Sequence, residues 1–189
     1  MTMMLAGLLL FTGTHLFLAI AATCIANMRR SMGVLPVKVA VAVLSLAGLA
    51  LVVLGWRQTM PQWIYLPPTE LRLVAVALIA AAMYLLVLSQ RPSVLKRYLR
   101  HPQLTGVLLW AIGHLMLNGD SRSLLLFGGL ALWAPLEMVL INARDGARTS
   151  LPDAPPVATD VITALVALLL IAALAWAHPW YTGVAILPR

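Results

Sequence analysis

Six apolar runs separated by short polar links leave this chain few folds to choose from. They cover about Met3 to Ala26, Val37 to Trp56, Leu71 to Leu88, Gln103 to Leu117, Ser123 to Ile141 and Val161 to Trp180. Crossing ~30 Å of hydrocarbon as a helix takes ~20 residues, and most of the runs approach that length. The third is marginal and the fourth is short. With 62% hydrophobic residues, 10% charged residues and a mean hydropathy of +0.95, the chain has too little polar surface to cover a soluble core. The expected fold is all-α, a polytopic transmembrane helix bundle of about six helices.

The net charge of +7 does not point to nucleic acid, because the basic residues sit in the links between apolar runs, where lipid headgroups and the orientation rule account for them. Links after odd-numbered helices hold nine: Arg29, Arg30, Lys38, Arg91, Lys96, Arg97, Arg100, Arg144 and Arg148. The opposite side holds four: Arg57, Arg72, Arg122 and Arg189. The richer side is expected in the cytoplasm and both termini outside it. No positive charge precedes the first run, so that run reads as a retained helix rather than a secretory signal. The single cysteine, Cys24, permits neither an internal disulfide nor a CxxC metal site, and reads as a buried small thiol.

Between Arg57 and Glu70 the chain carries Pro61, Trp63, Tyr65, Pro67 and Pro68, which suits an extended loop at the membrane surface. The link Leu151 to Thr159, with Pro152, Asp153, Pro155 and Pro156, reads as a polar tether. The expected organisation is a membrane core over residues 1–150 and a tether with a final helix over 151–189. Gly128-Gly129 suggests a close helix contact.

The chemistry-bearing residues inside the apolar runs are few. His15 lies twelve residues above Asn27 in the first run, ~18 Å of helical rise, and His114 lies eleven residues above Gln103 in the fourth, ~16.5 Å. In the expected topology both imidazoles stand at nearly one depth. Such a pair is what a six-coordinate haem requires, one nitrogen of each ring donating to iron. Gly13 and Gly113 would admit a flat macrocycle or a neighbouring helix, and Trp110 is one turn before His114. The same histidines could instead bond across helices through Thr12, Thr14 or Asn118.

Arg97, Arg100 and His101 precede Pro102 at the first turn of the fourth helix, where they could hold an anion or anchor the helix among anionic headgroups. Glu137 is the acidic residue inside an apolar run, and Arg100, His101 or Arg144 would be its partner. Asn118-Gly119-Asp120 reads as a tight turn that uses glycine for a positive φ. His178, flanked by Trp176 and Trp180, reads as part of an aromatic anchor at the interface.

The run Arg100-His101-Pro102-Gln103-Leu104-Thr105-Gly106, continuing through Trp110, Gly113-His114 and Asn118-Gly119-Asp120, resembles the signature of the NnrU family of integral membrane proteins. Gly13-Thr14-His15 matches that family's N-terminal histidine helix. The resemblance implies a protein of the bacterial inner membrane associated with denitrification and nitric oxide metabolism. Plant zeta-carotene cis-trans isomerase is similar to this family and carries haem b. Through that similarity its haem-binding histidines fall on His15 and His114. The isomerase's cysteine three residues before the second histidine is replaced here by Ala111, which counts against a ligand-switching isomerase.

The resemblance therefore implies haem b as cofactor, with a lipophilic or nitrogen-oxide substrate, membrane lipids as partners and no nucleic acid. The activity would be that of an isomerase, a redox protein or a non-catalytic handler of haem or nitric oxide. Arg100-His101-Pro102 followed by Gly106 is also similar to the cofactor motif of membrane isoprenylcysteine and phospholipid methyltransferases. That similarity implies S-adenosylmethionine between His101 and Glu137. The paired acidic residues of those enzymes are reduced here to Glu137, followed by Asn142.

Overall fold

The structure is a computed structural model that describes residues 1–151 and 155–184. Pro152 and Asp153 of the tether and Arg189 of the charge count lie outside the described residues. The helices are α1 (Thr2–Ile20), α2 (Ala22–Met32), α3 (Val34–Gln58), α4 (Arg72–Ser89), α5 (Pro102–Leu115), a short α6 (Ser121–Ser123), α7 (Gly129–Asp145) and α8 (Val157–Thr182). Short 3₁₀ turns at Thr69–Leu71 and Val94–Arg97 precede α4 and α5. A wider π-helical turn, Leu124–Gly128, joins α6 to α7. No strand occurs among the described residues beyond the isolated bridge between Trp63 and Asp120.

Among the described residues five stretches are long and apolar enough to cross a membrane: Thr2–Ile20, Val34–Gln58, Thr69–Ser89, Ser121–Asp145 and Val157–Thr182. The remaining expected run is α5, which is shorter, its 14 residues rising only ~21 Å. The first apolar run is also not one helix. It breaks at Ala21 (φ −94, ψ 40), so a residue count from His15 to Asn27 no longer measures height along a single axis. No proline or glycine stands at the break, and the local sequence does not explain it.

The chain divides into two compact units, Met1–Met60 with Leu136–Gly146, and Pro61–Pro135 with Ala147–Arg189. In the first, α1 lies antiparallel along α3 through a glycine seam. A Cβ on Gly7 would stand 2.6 Å from the Gly48 carbonyl oxygen, and one on Gly55 would collide with the Met4 backbone. Small residues let the two backbones touch, which is how helices gain packing where lipid offers no hydrophobic drive. Met1 and Thr59 close the open end, the terminal amine donating to Oγ1 at 2.6 Å. Cys24, expected to be buried, is exposed on α2.

In the second unit α4 packs against both α5 and α8. Cβ atoms on Gly106 and Gly113 would meet Ala82 and Ala75 respectively, so α5 runs antiparallel to α4 and returns to the level of Ala75, close to the start of α4. Although short, α5 brings the chain back to the end from which α4 began. α8 is antiparallel to α4 as well: Arg91 Nε donates to Thr163 Oγ1 at 3.2 Å, and the Val94 amide to Asp160 Oδ2 at 3.2 Å. Gly128, read as a close-contact residue, has only Leu124 within ordinary distance of a built Cβ and instead closes the π turn.

Candidate histidine sites

His114 occupies the last turn of α5, where its Nδ1–H donates to the Trp110 carbonyl at 2.8 Å. A carbonyl can only accept, so this bond fixes the neutral tautomer and leaves the lone pair on Nε2. Metal-bound histidines are ordinarily tethered in this way through the other ring nitrogen. Phe127 stacks on the imidazole at 4.5 Å between centroids, and Trp110 lies tilted at 4.7 Å. Trp110 and Phe127 meet edge to face at 4.9 Å, completing an aromatic wall. Of the two uses expected of Gly113, a macrocycle or a neighbouring helix, the structure shows the helix: a Cβ there would stand 2.8 Å from Ile79 Cγ1 and 2.9 Å from the Ala75 oxygen.

The wall depends on the π turn. An extra residue in a helical turn re-aims the side chains around it, and such turns concentrate at functional sites. Phe127, 5% exposed, lies within this turn and reaches His114. Sequence periodicity did not single it out, because a π turn breaks the 3.6-residue spacing on which periodicity relies.

The end of α5 is held by a strap from the 60–68 loop. The Ile64 and Tyr65 amides donate to the Gly119 carbonyl at 2.8 and 3.1 Å, and the Tyr65 hydroxyl donates to the Leu115 carbonyl at 2.5 Å. Asn118 Nδ2 donates to the carbonyl of His114 itself at 2.9 Å, rather than to an imidazole on another helix. Gly119 does not have a positive φ. Glycine is required there because a Cβ would occupy the place of the Tyr65 carbonyl oxygen.

His15 on α1 repeats the local arrangement of His114. Its Nδ1–H donates to the Phe11 carbonyl at 2.9 Å, and the Phe11 ring lies 4.6 Å away. Thr12 and Thr14 donate their hydroxyl protons within α1, to Leu8 and Leu10 at 2.8 and 2.6 Å. A Cβ on Gly13 would meet nothing within 4 Å. His178 near the end of α8 is tied differently, its Nδ1–H donating to the Val184 carbonyl six residues ahead at 2.7 Å, with Thr182 Oγ1 at 3.0 Å from the same nitrogen. Trp176 and Trp180 beside it are exposed and meet edge to face at 4.1 Å.

His101 is the N-cap residue of α5, with Pro102 at the first helical position, and its carbonyl accepts from the Thr105 amide at 2.9 Å. Arg148 bonds the Lys96 and Arg97 carbonyls at 2.7 and 3.3 Å, tying the basic link in place. Of the residues expected to cluster, Arg100 and His101 belong to the second unit and Glu137 to the first. Glu137 is buried in the first, where Arg144 forms its ion pair with Asp145 at 2.7 Å. Among the described residues no group of three or more His, Cys, Asp or Glu side chains could hold a metal ion.

The family model described as NnrU protein matches residues 3–186. This chain belongs to the NnrU family. Neither curated proteins nor solved structures give a match. Within this NnrU chain, the Arg100–Asp120 run builds the α5 turn that carries His114 and the strap site at Gly119, so the most distinctive stretch of sequence coincides with one histidine and its supports.

Proposed function

We propose that this NnrU-family protein binds haem b in a bacterial inner membrane, with His15 and His114 as the histidines that hold it, and acts in nitrogen-oxide metabolism. The observation that carries the reading is the tie common to both: each Nδ1–H donates to a main-chain carbonyl four residues back, the kind of tether that metal-bound histidines ordinarily make through their other ring nitrogen. Bound haem iron would supply nitrogen-oxide binding and one-electron chemistry. The chain's own contribution is orientation and exclusion of water. Phe127 and Trp110 fix the plane of the His114 ring, and the strap at Gly119 fixes the turn beneath it.

Redox or isomerase action on a lipophilic substrate uses the same residues. A thiol-based ligand exchange does not, because Ala111, three residues before His114, carries no thiol. The test is the absorbance spectrum of the detergent-purified protein. Haem bands are expected in the native chain, with strong loss in His15→Ala and in His114→Ala. Full haem occupancy in either folded variant would remove that residue from the ligand set. Absence of haem bands together with S-adenosylmethionine binding would favour the methyltransferase resemblance instead.

A further inference from the structure

His178 looks from its flanking tryptophans like part of an anchor, yet three observations within the second unit place it with His114. The first is register. Thr163 faces Arg91, and His178 lies fifteen residues further along α8, ~22 Å of rise. The same rise back from Ser89, the last residue of the antiparallel α4, reaches Val74. Gly113 packs on Ala75 and Ile79, so His114 and His178 reach the same level of α4, one from α5 and one from α8.

The second observation is the face of α8. Thr163 and Ala167 are its buried residues. His178 follows Ala167 by eleven residues, which at 100° per residue returns it to within ~20° of Ala167 around the helix. It therefore shares the stripe that packs inward, while Trp176 and Trp180 are exposed. The third supports the first two: a charge on His178 would repel a charge on His114. Each has Nδ1 committed to a main-chain carbonyl, so each keeps its lone pair on Nε2.

We propose that His114 and His178 form a two-imidazole ligand pair for a transition-metal centre inside the second unit. Imidazole nitrogen suits copper, zinc and iron, and the shared requirement is a soft-to-borderline cation able to accept two neutral nitrogens. A free metal ion and haem iron both meet it. The pair shares His114 with the haem reading and does not depend on His15.

The experiment uses the full chain in detergent, titrated with Cu²⁺ alone and, separately, with hemin. Cu²⁺ is expected to bind with electron-paramagnetic-resonance couplings to imidazole nitrogen, and to protect His114 and His178 together from carbethoxylation, read by peptide mass spectrometry. His178→Ala and His178→Gln should each weaken Cu²⁺ binding by at least about tenfold, since loss of an outer partner of a metal ligand already costs ~10–100-fold. His15→Ala should leave Cu²⁺ binding unchanged. A hemin spectrum altered by His178→Ala would identify haem iron as an occupant.

Protection of neither histidine by Cu²⁺ or hemin overturns the pair. So does unchanged binding of both probes in the folded His178 variants. Hemin binding that needs His15 and His114 but not His178, without Cu²⁺ protection, sinks this pair and keeps the haem reading. Binding that needs His114 and His178 but not His15 does the reverse.

Discussion

At Asp120 a single carboxylate closes several bonds. It caps α6, taking the Arg122 and Ser123 amides at 3.0 and 3.2 Å and the Ser123 hydroxyl at 2.7 Å. Burial alone would raise its pKa. The Ser123 and Arg122 donors and the Arg122 charge outweigh that and hold it below the usual aspartate value. A carboxyl with a lowered folded-state pKa stabilises when ionised. Its contribution is complete above the unfolded value of ~3.9 and is lost as pH falls through the lower folded value. Asp120→Ala should cost about 0.5–2 kcal/mol near neutral pH, the usual range for a lost cap, with the deficit narrowing below about pH 4. Unfolding in mixed micelles at about pH 7 and about pH 3 measures both, and an equal deficit at the two pH values would rule the mechanism out.

At the scale of elements, the apolar runs were legible because lipid demands long helices, and α5 was legible from Pro102 at its first turn and Trp110 one turn before His114. Three features were not. The break at Ala21 has no proline or glycine to announce it. The π turn that aims Phe127 at His114 leaves no periodic trace. The α1–α3 seam uses Gly7, Gly48 and Gly55, whose spacing on two helices has meaning only once register is known. His178 was hidden for the same reason, since its level depends on how α8 meets α4. The seam makes its own prediction. A Cβ on Gly48 would stand 2.9 Å from the Gly7 oxygen and the Phe11 amide nitrogen, both main-chain atoms that cannot swing aside. Gly48→Val should therefore destabilise the chain by about 1–3 kcal/mol, the range for overpacking, whereas Gly13→Ala, in open space, should cost little. Equal thermal-unfolding midpoints for the two variants would show that the seam does not hold α1 to α3.

For the whole molecule, the antiparallel registers in the second unit decide which links share an end. The 60–68 loop and the Asn118–Asp120 turn are joined by the Tyr65 and Gly119 bonds, and the Arg91–Arg100 link meets the start of α8 at the opposite end of α4. This alternation holds although α5 is short, because α5 returns to the level of Ala75. The sign of the orientation is then a prediction from charge: the excess of Lys and Arg on the Arg91–Arg100 side should hold that end in the cytoplasm. Single cysteines test it once the exposed native thiol is removed by Cys24→Ser. Leu66 and Tyr98, each 81% exposed, report the two ends of the second unit. Leu66→Cys should react with an impermeant maleimide applied to intact cells, and Tyr98→Cys only after the membrane is opened. Labelling of Tyr98→Cys from outside would invert the topology and move the basic link away from the anionic inner leaflet that its charge is proposed to meet.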